Sequence, residues 1–456
     1  MREPPTLFAA AALLASFTLA AFVPQIFHDG DTWWHLAAGQ WMLAHRTVPT
    51  QDIFSFTFAG APWNAQEWLA EVLMAGVFAL IGWSGLHLLF GLAFGVTAAL
   101  AASALRQRMD TLPALVTTLL GLACVTGSLL ARPHLLALPL LALWTIGLIK
   151  ARERRTAPPL WLALAMLVWA NLHGSFAFGL ALAVALGAEG VLENRAAAKA
   201  WLTFLGVSAI AALINPQGLD GLLFPIRLLL LPGIATIGEW APTDLMRPSP
   251  FLMSLVAMGF VLATGKVRLP PLRALLILAL IYLGLAHVRH QMLFGVTAPL
   301  LAAASLGEAW PPRVRELPGW LAGGVLAFVA LLAIMRPILP EIRVEDRVTP
   351  MAALMHVPSD LRAKAVLNAY DYGGYLIFSG VKVFVDGRTD MYPTKFFSAY
   401  NRLSAGDRVA LADELERWRI GWTIFPVHSP AAGVLDHLSG WHRLYADANT
   451  VVHVRD

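Results

Sequence analysis

The chain reads as a polytopic α-helical membrane protein of about eleven spans with a small C-terminal α/β domain, because its apolar residues fall in runs of about 16–22, the length that crosses hydrocarbon. Two further observations agree. Of 456 residues, 58% are hydrophobic and only 14% charged, against roughly 25% charged in soluble domains. After Arg336 the long apolar runs stop, and Asp, Arg, Pro and Gly rise. A single large soluble core is excluded. The net charge of +4 does not indicate a nucleic-acid partner, since the basic residues cluster in short loops between apolar runs, where they set membrane orientation. The one cysteine, Cys124, lies inside an apolar run, so neither a disulfide framework nor a thiolate metal site is available.

Taken in order, Arg2 precedes an apolar run from Thr6 to Val23 that lacks a small-residue cleavage site and reads as a retained anchor. Further spans are expected at 86–105, 112–130, 134–149, 158–172, 174–192, 198–214, 250–264, 270–286, 291–307 and 318–335. The stretch from Glu67 to Gly82 is apolar but carries Glu67 and Glu71, and it reads as a helix lying along the bilayer surface. With that choice Arg106/Arg108, Lys150 to Arg155, Arg195/Lys199, Lys266/Arg268 and Arg313/Arg315 all fall on the side of Arg2, which is then cytoplasmic. If the stretch spanned, the same loops would all face outward. With the helix along the surface, all 13 histidines lie on the outer half or in the tail. Residues 1–336 are expected to form the membrane domain and 337–456 an extracytoplasmic one. In the latter, strands are expected at Ala365–Asn368, Val381–Asp386, Thr423–Phe425 and Val451–Val454, with helices near Thr394–Leu403 and Asp407–Trp418.

Polar residues gather at the expected outer boundary. Asp29 and Asp31 come as the chain leaves the first span, followed by Trp33, Trp34 and His35 and a short amphipathic helix through Ala44. Aromatics at this depth anchor an interface, but carboxylates beside apolar surface gain basicity and suit proton abstraction. Asp52 and Ser55 read as a turn that caps the next element; Glu67 and Glu71, four apart, share a helical face. Three more outer loops bring cations: Arg132-Pro133-His134, His173 after Asn171, and His287-Val288-Arg289-His290. Arginine grips phosphate with paired hydrogen bonds, so His35, Arg132, His134, His173, Arg289 and His290 are candidates for holding a lipid phosphate. The outer segment from Gly218 to Pro248, with Glu239, Trp240 and Asp244, reads as an interfacial helix and loop. No phosphate-binding glycine loop, dinucleotide fingerprint, zinc spacing or serine nucleophile elbow is present.

The stretch Gly30-Asp31-Thr32-Trp33-Trp34-His35 resembles the acidic first-loop motif of the GT-C membrane glycosyltransferases, which use polyprenyl-linked sugars. The helix at 67–82, the turn Gly82-Trp83-Ser84-Gly85 and a span ending Arg106-Gln107-Arg108 resemble the juxtamembrane helix and second span of lipid A aminoarabinose transferases and protein mannosyltransferases. In the tail, Val366 to Tyr375 followed by Val383 to Asp390 is similar to the acceptor-reading region of oligosaccharyltransferase catalytic subunits, with Ala369-Tyr370-Asp371 where that family has Trp-Trp-Asp.

The resemblance implies a GT-C-like fold, with juxtamembrane helices in the first outer loop. It also implies an inverting transfer of sugar from a polyprenyl-phosphate donor to an acceptor of unknown class at the outer face of a bacterial cytoplasmic membrane. Asp31 would be the base with Asp29 beside it, and Tyr370, Asp371, Tyr372, Asp386 and Arg388 would meet the acceptor. A divalent metal stays open as a cofactor, with the missing acidic pair in the Arg132-Pro133-His134 loop counting against it. A noncatalytic lipid-linked glycan binder or a transporter is the alternative, against which stands the near absence of ionisable residues in the middles of the spans.

Overall fold

Apolar helices follow one another to residue 339, and the sheet comes only after them. The computed structural model describes residues 6–230, 238–313, 319–339 and 345–456. Arg2, Arg315 and the 231–237 part of the outer segment lie outside the described residues. Among these, six helices are long and apolar enough to cross a membrane: Trp68–Arg106, Pro133–Glu153, Phe176–Glu193, Arg195–Leu213, Val288–Ala309 and Gly319–Ile338. Five shorter apolar helices, Leu7–Phe22, Thr111–Thr126, Leu160–Leu172, Pro250–Ala263 and Pro271–Ala286, fall on the other expected spans. Leu112, Leu164, Leu202, Val256, Phe260 and Trp320 stand exposed on these helices, a surface suited to lipid and not to water. The protein is a multi-pass membrane protein.

The chain folds into two compact units. One comprises Met1–Val23, Ile81–Leu129 and Pro133–Leu339; the other comprises Pro24–Leu80, Leu130–Arg132 and Pro340–Asp456. The division expected at 336/337 leaves the first loop with the spans. By packing, that loop and the three residues 130–132 go with the C-terminal segment. The helix Trp68–Arg106 is interrupted at Ile81 and Gly82, where Gly82 has φ 58° and ψ −146°, a conformation open in practice only to glycine. Residues 68–80 are therefore a helical stretch separate from the one that follows.

In the second unit four strands, β1 (Val366–Asn368), β2 (Trp422–Pro426), β3 (Trp441–Ala446) and β4 (Thr450–Arg455), form a mixed sheet of order β1-β2-β4-β3. β1 runs parallel to β2, and β4 is antiparallel to both β2 and β3. The buried β1, β2 and β4 carry the apolar pattern that identifies strands. β3, absent from the sequence reading, is an exposed edge with His442 and Arg443, its polarity hiding it. The expected strand Val381–Asp386 is not in the sheet. The Asn368 side chain takes its hydrogen bonds instead, accepting from Phe384 N at 2.9 Å and donating to the Val385 carbonyl at 2.8 Å. On its other side, Val383 makes a single parallel bridge to Ser55 of the first loop. The expected helices appear as Thr394–Ser404 and Arg408–Arg417, the second capped by Asp407.

Candidate active site

Asp29 is the N-cap of the helix Gly30–His45, its Oδ2 accepting from Thr32 N at 3.0 Å. Capping by a carboxylate stabilises a helix start, and it also fixes the direction in which Asp31, in the first turn, projects. Arg132 closes on both acids. Its Nε donates to Asp29 Oδ2 at 2.7 Å and one terminal nitrogen reaches Asp29 Oδ1, a two-pronged grip. The other terminal nitrogen lies 2.8 Å from Asp31 Oδ2. Asp29 is buried, whereas Arg132 and Asp31 each keep 18% of their side chains exposed, so the second pair is the one a ligand can reach. The loop that delivers Arg132 is anchored by Ala131 N donating to the Ile26 carbonyl at 2.7 Å.

Three glycines let the tail approach this helix start. A Cβ on Gly30 would strike the Asp371 carbonyl oxygen, one on Gly374 the Gly30 carbonyl oxygen, and one on Gly387 the Asp31 carboxylate. Asp371 is thereby brought to the acidic pair. Partial desolvation of its carboxyl and then the charge of Asp29 push its pKa up, with Arg132 pulling it back. Tyr370, half-buried, bonds through its hydroxyl to Thr389 Oγ1 at 2.8 Å.

The other residues expected at an acceptor are in the core. Tyr372 is buried, its hydroxyl 3.0 Å from Thr450 Oγ1. Arg388 is 1% exposed; it donates to Asp386 through Nε at 2.9 Å and Nη2 at 2.7 Å, and to Asp52 through Nη1 at 2.7 Å. Its guanidinium lies over the rings of Trp63 and Phe54, 4.8 and 5.1 Å from their centroids. Tyr392 completes the network by donating to Asp386 Oδ2 at 2.7 Å. Tyr372, Asp386 and Arg388, expected to meet an acceptor, are placed in the interior, where Arg388 is paired with Asp386 and Asp52. Asp52, expected to cap a turn, does so through Phe54 N and Ser55 N while also serving as the second anion for Arg388.

His35, expected at a phosphate, lies beside two carboxylates. It is buried, with Nδ1 2.9 Å from Glu71 Oε1 and Nε2 3.6 Å from Glu67 Oε2. Two carboxylates flank it where a phosphate was expected, because Glu67 and Glu71 present their shared face to the helix Gly30–His45.

The remaining candidates for the phosphate belong to the membrane unit and form two clusters. His134 and His173 stand with ring centroids 6.0 Å apart. His134 Nε2 lies 2.7 Å from the Ser128 carbonyl, and His173 Nδ1 lies 2.8 Å from Ser175 Oγ. In the second cluster Arg289 pairs with Glu239 at 2.8 Å and lies over the Trp240 ring at 4.2 Å. His287 and His290 face the same indole. In the sequence Glu239 and Trp240 read only as part of an interfacial helix and loop. Among the described residues no group of three or more His, Cys, Asp or Glu side chains is arranged to hold a metal ion. The Arg132 guanidinium fills the space between Asp29 and Asp31 that a cation would take, so these residues do not fit a resident metal.

No family model and no curated protein matches the chain. Solved structures do. The Archaeoglobus fulgidus oligosaccharyltransferase in its apo form aligns over 92% of this chain and 69% of its own, with a TM-score of 0.57 at 11% identity. The same enzyme tethered to an acceptor peptide containing the NVT sequon aligns over 99% and 74%, with a TM-score of 0.53 at 10% identity. ArnT from Cupriavidus metallidurans bound to undecaprenyl phosphate aligns over 97% of both chains, with a TM-score of 0.52 at 13% identity. These proteins are GT-C glycosyltransferases, and the chain has the GT-C fold.

Proposed function

We propose that the protein transfers a sugar from a polyprenyl-phosphate donor to an acceptor hydroxyl or amide at the outer face of a bacterial cytoplasmic membrane, with inversion at the anomeric carbon. The observation that carries this reading is the Asp29–Arg132–Asp31 group at the start of the helix Gly30–His45, set in a fold shared with an enzyme whose structure holds undecaprenyl phosphate. Asp31, partly exposed, takes the proton from the acceptor as its oxygen or nitrogen attacks C1. The bond from C1 to the phosphate oxygen breaks, and its electron pair leaves with the polyprenyl phosphate. Arg132 orients the two carboxylates and meets the phosphate through the nitrogen that otherwise pairs with Asp31. Within the membrane unit, His134 with His173 and Arg289 with His290 are the candidates for stabilising donor charge. Tyr370 and Asp371 are the candidates for reading the acceptor.

The topology in this reading has eleven spans, a cytoplasmic N-terminus and residues 337–456 outside the cytoplasm. The isoprenoid tail lies against the apolar helices. The test is turnover of labelled polyprenyl-phosphate sugars by the purified protein. Asp31→Asn is expected to lose about 10²–10⁴ in rate, the worth of a general base. Wild-type rates in that variant would remove Asp31 from the role, and no turnover with any donor would favour a noncatalytic glycan-lipid binder.

A further inference from the structure

Among the described residues the indole N–H of Trp34 has no hydrogen-bond partner, although the residue is only 8% exposed. A buried, unmade donor is costly, and native structures keep few of them. This one has a neighbour able to satisfy it. Trp34 Nε1 and Asp31 Oδ1 both lie within 3.0 Å of the point where a Cβ on Gly387 would sit. Asp31 is held on its opposite oxygen by Arg132, at 2.8 Å. The carboxylate therefore stands between a charged donor it uses and a neutral donor it does not. Only a residue without a side chain at 387 leaves the ground between them open.

We propose that Trp34 is a positioning residue that receives the Asp31 carboxylate when an anionic phosphate takes the Arg132 nitrogen. This rests on the sugar-transfer reading above. A phosphate competes well for an arginine because the pairing is charge-assisted, and Arg132 keeps its grip on Asp29 through its other two nitrogens. Released from the cation, Asp31 becomes more basic, as a base must be, while the indole N–H keeps it oriented and ionised. The groups that face Asp31 in this exchange are Asp29 on its own helix, Arg132 from the 130–132 loop and Asp371 across Gly30. Arg388 follows Gly387. His35, its ring tilted 33° against that of Trp34 with centroids 3.6 Å apart, is flanked by Glu71 and Glu67.

The exchange is read directly from the Trp34 indole resonance in ¹⁵N-tryptophan-labelled protein in nanodiscs, assigned by its loss in Trp34→Phe. Saturation with undecaprenyl phosphate is expected to move it downfield, and Asp31→Ala is expected to abolish the movement. Gly387→Ala, which puts a methyl group in the path, should hold the resonance at its resting position. In turnover, Trp34→Phe should raise the acid limb of the kcat profile by about one pH unit. The kcat/KM limb, which reports the free enzyme with Asp31 on Arg132, should stay in place. A resonance unmoved at saturation, or a kcat limb unmoved in Trp34→Phe, would overturn the proposal. A downfield movement in a protein that turns over no polyprenyl-phosphate sugar would sink the transferase reading and leave the exchange standing.

Discussion

At the scale of single residues the sequence locates the polar groups but not their partners. Asp29, Asp31 and Arg132 are recognisable because charges at the edge of apolar runs are few, yet their mutual pairing joins positions about a hundred residues apart, which no local pattern encodes. The same limit explains Arg388. Next to Asp386 and Gly387 it looks like a turn residue free to meet a ligand. Burial between Asp52, Asp386 and two aromatic rings becomes visible only once the first loop and the tail have met. Removing one partner of such a group strands the others without compensation, a loss of about 3–5 kcal/mol. Arg388→Met is therefore expected to lower the melting temperature of the purified protein sharply, and neutralising both acids in Asp52→Asn/Asp386→Asn/Arg388→Met should recover part of the loss. An Arg388→Met protein that melts with the wild type would show that the network contributes nothing to stability.

At the scale of elements, nearly every apolar helix was readable, since hydrophobic runs bounded by Pro, Gly and charged loops leave little choice: Thr111–Thr126 starts at its Asp110 cap, and Pro250–Ala263 at Ser249 followed by Pro250. What the runs conceal is charge placed near their ends for packing. Arg152 on Pro133–Glu153 lies 3.0 Å from Glu189 and also pairs with Glu193 on Phe176–Glu193, and Arg273 on Pro271–Ala286 lies 3.5 Å from Glu189. Arg152, Glu189 and Arg273 are all buried, so Glu189 ties three helices through one carboxylate. Its removal leaves two buried guanidinium groups with a single anion, Glu193, between them. Glu189→Ala is expected to cost about 3–5 kcal/mol, read as a lower melting temperature in detergent, whereas Glu193→Ala, at a half-exposed position, should cost less. Equal effects of the two substitutions would deny Glu189 its central place.

At the scale of the whole molecule, the proposed orientation rests on where the cations sit between the apolar helices. Arg106 and Arg108 close one helix; Lys150, Arg152, Arg154 and Arg155 lie at the end of another; Arg195, Lys199, Lys266, Arg268 and Arg313 lie between later ones. Short loops rich in Lys and Arg stay in the cytoplasm; all of these lie on one side of the membrane, and that side is the one of Arg2 only if residues 68–80 do not cross. The break at Ile81 and Gly82 supplies the means, since it ends that stretch before the next begins. Five of the eleven helices are short, Thr111–Thr126 among them with 16 residues, or about 24 Å at 1.5 Å per residue. Bilayers thin locally around such helices at modest cost, so the positive-inside pattern outweighs their length. The prediction is made with single cysteines in a Cys124→Ala background, at the exposed positions Gln107 and Ser439. Gln107→Cys should react with a membrane-impermeant maleimide only in inverted vesicles, and Ser439→Cys only in intact cells with the outer leaflet accessible. Labelling of Gln107→Cys from outside would mean that residues 68–80 do cross, reversing every later helix and overturning the proposed transfer at the outer face.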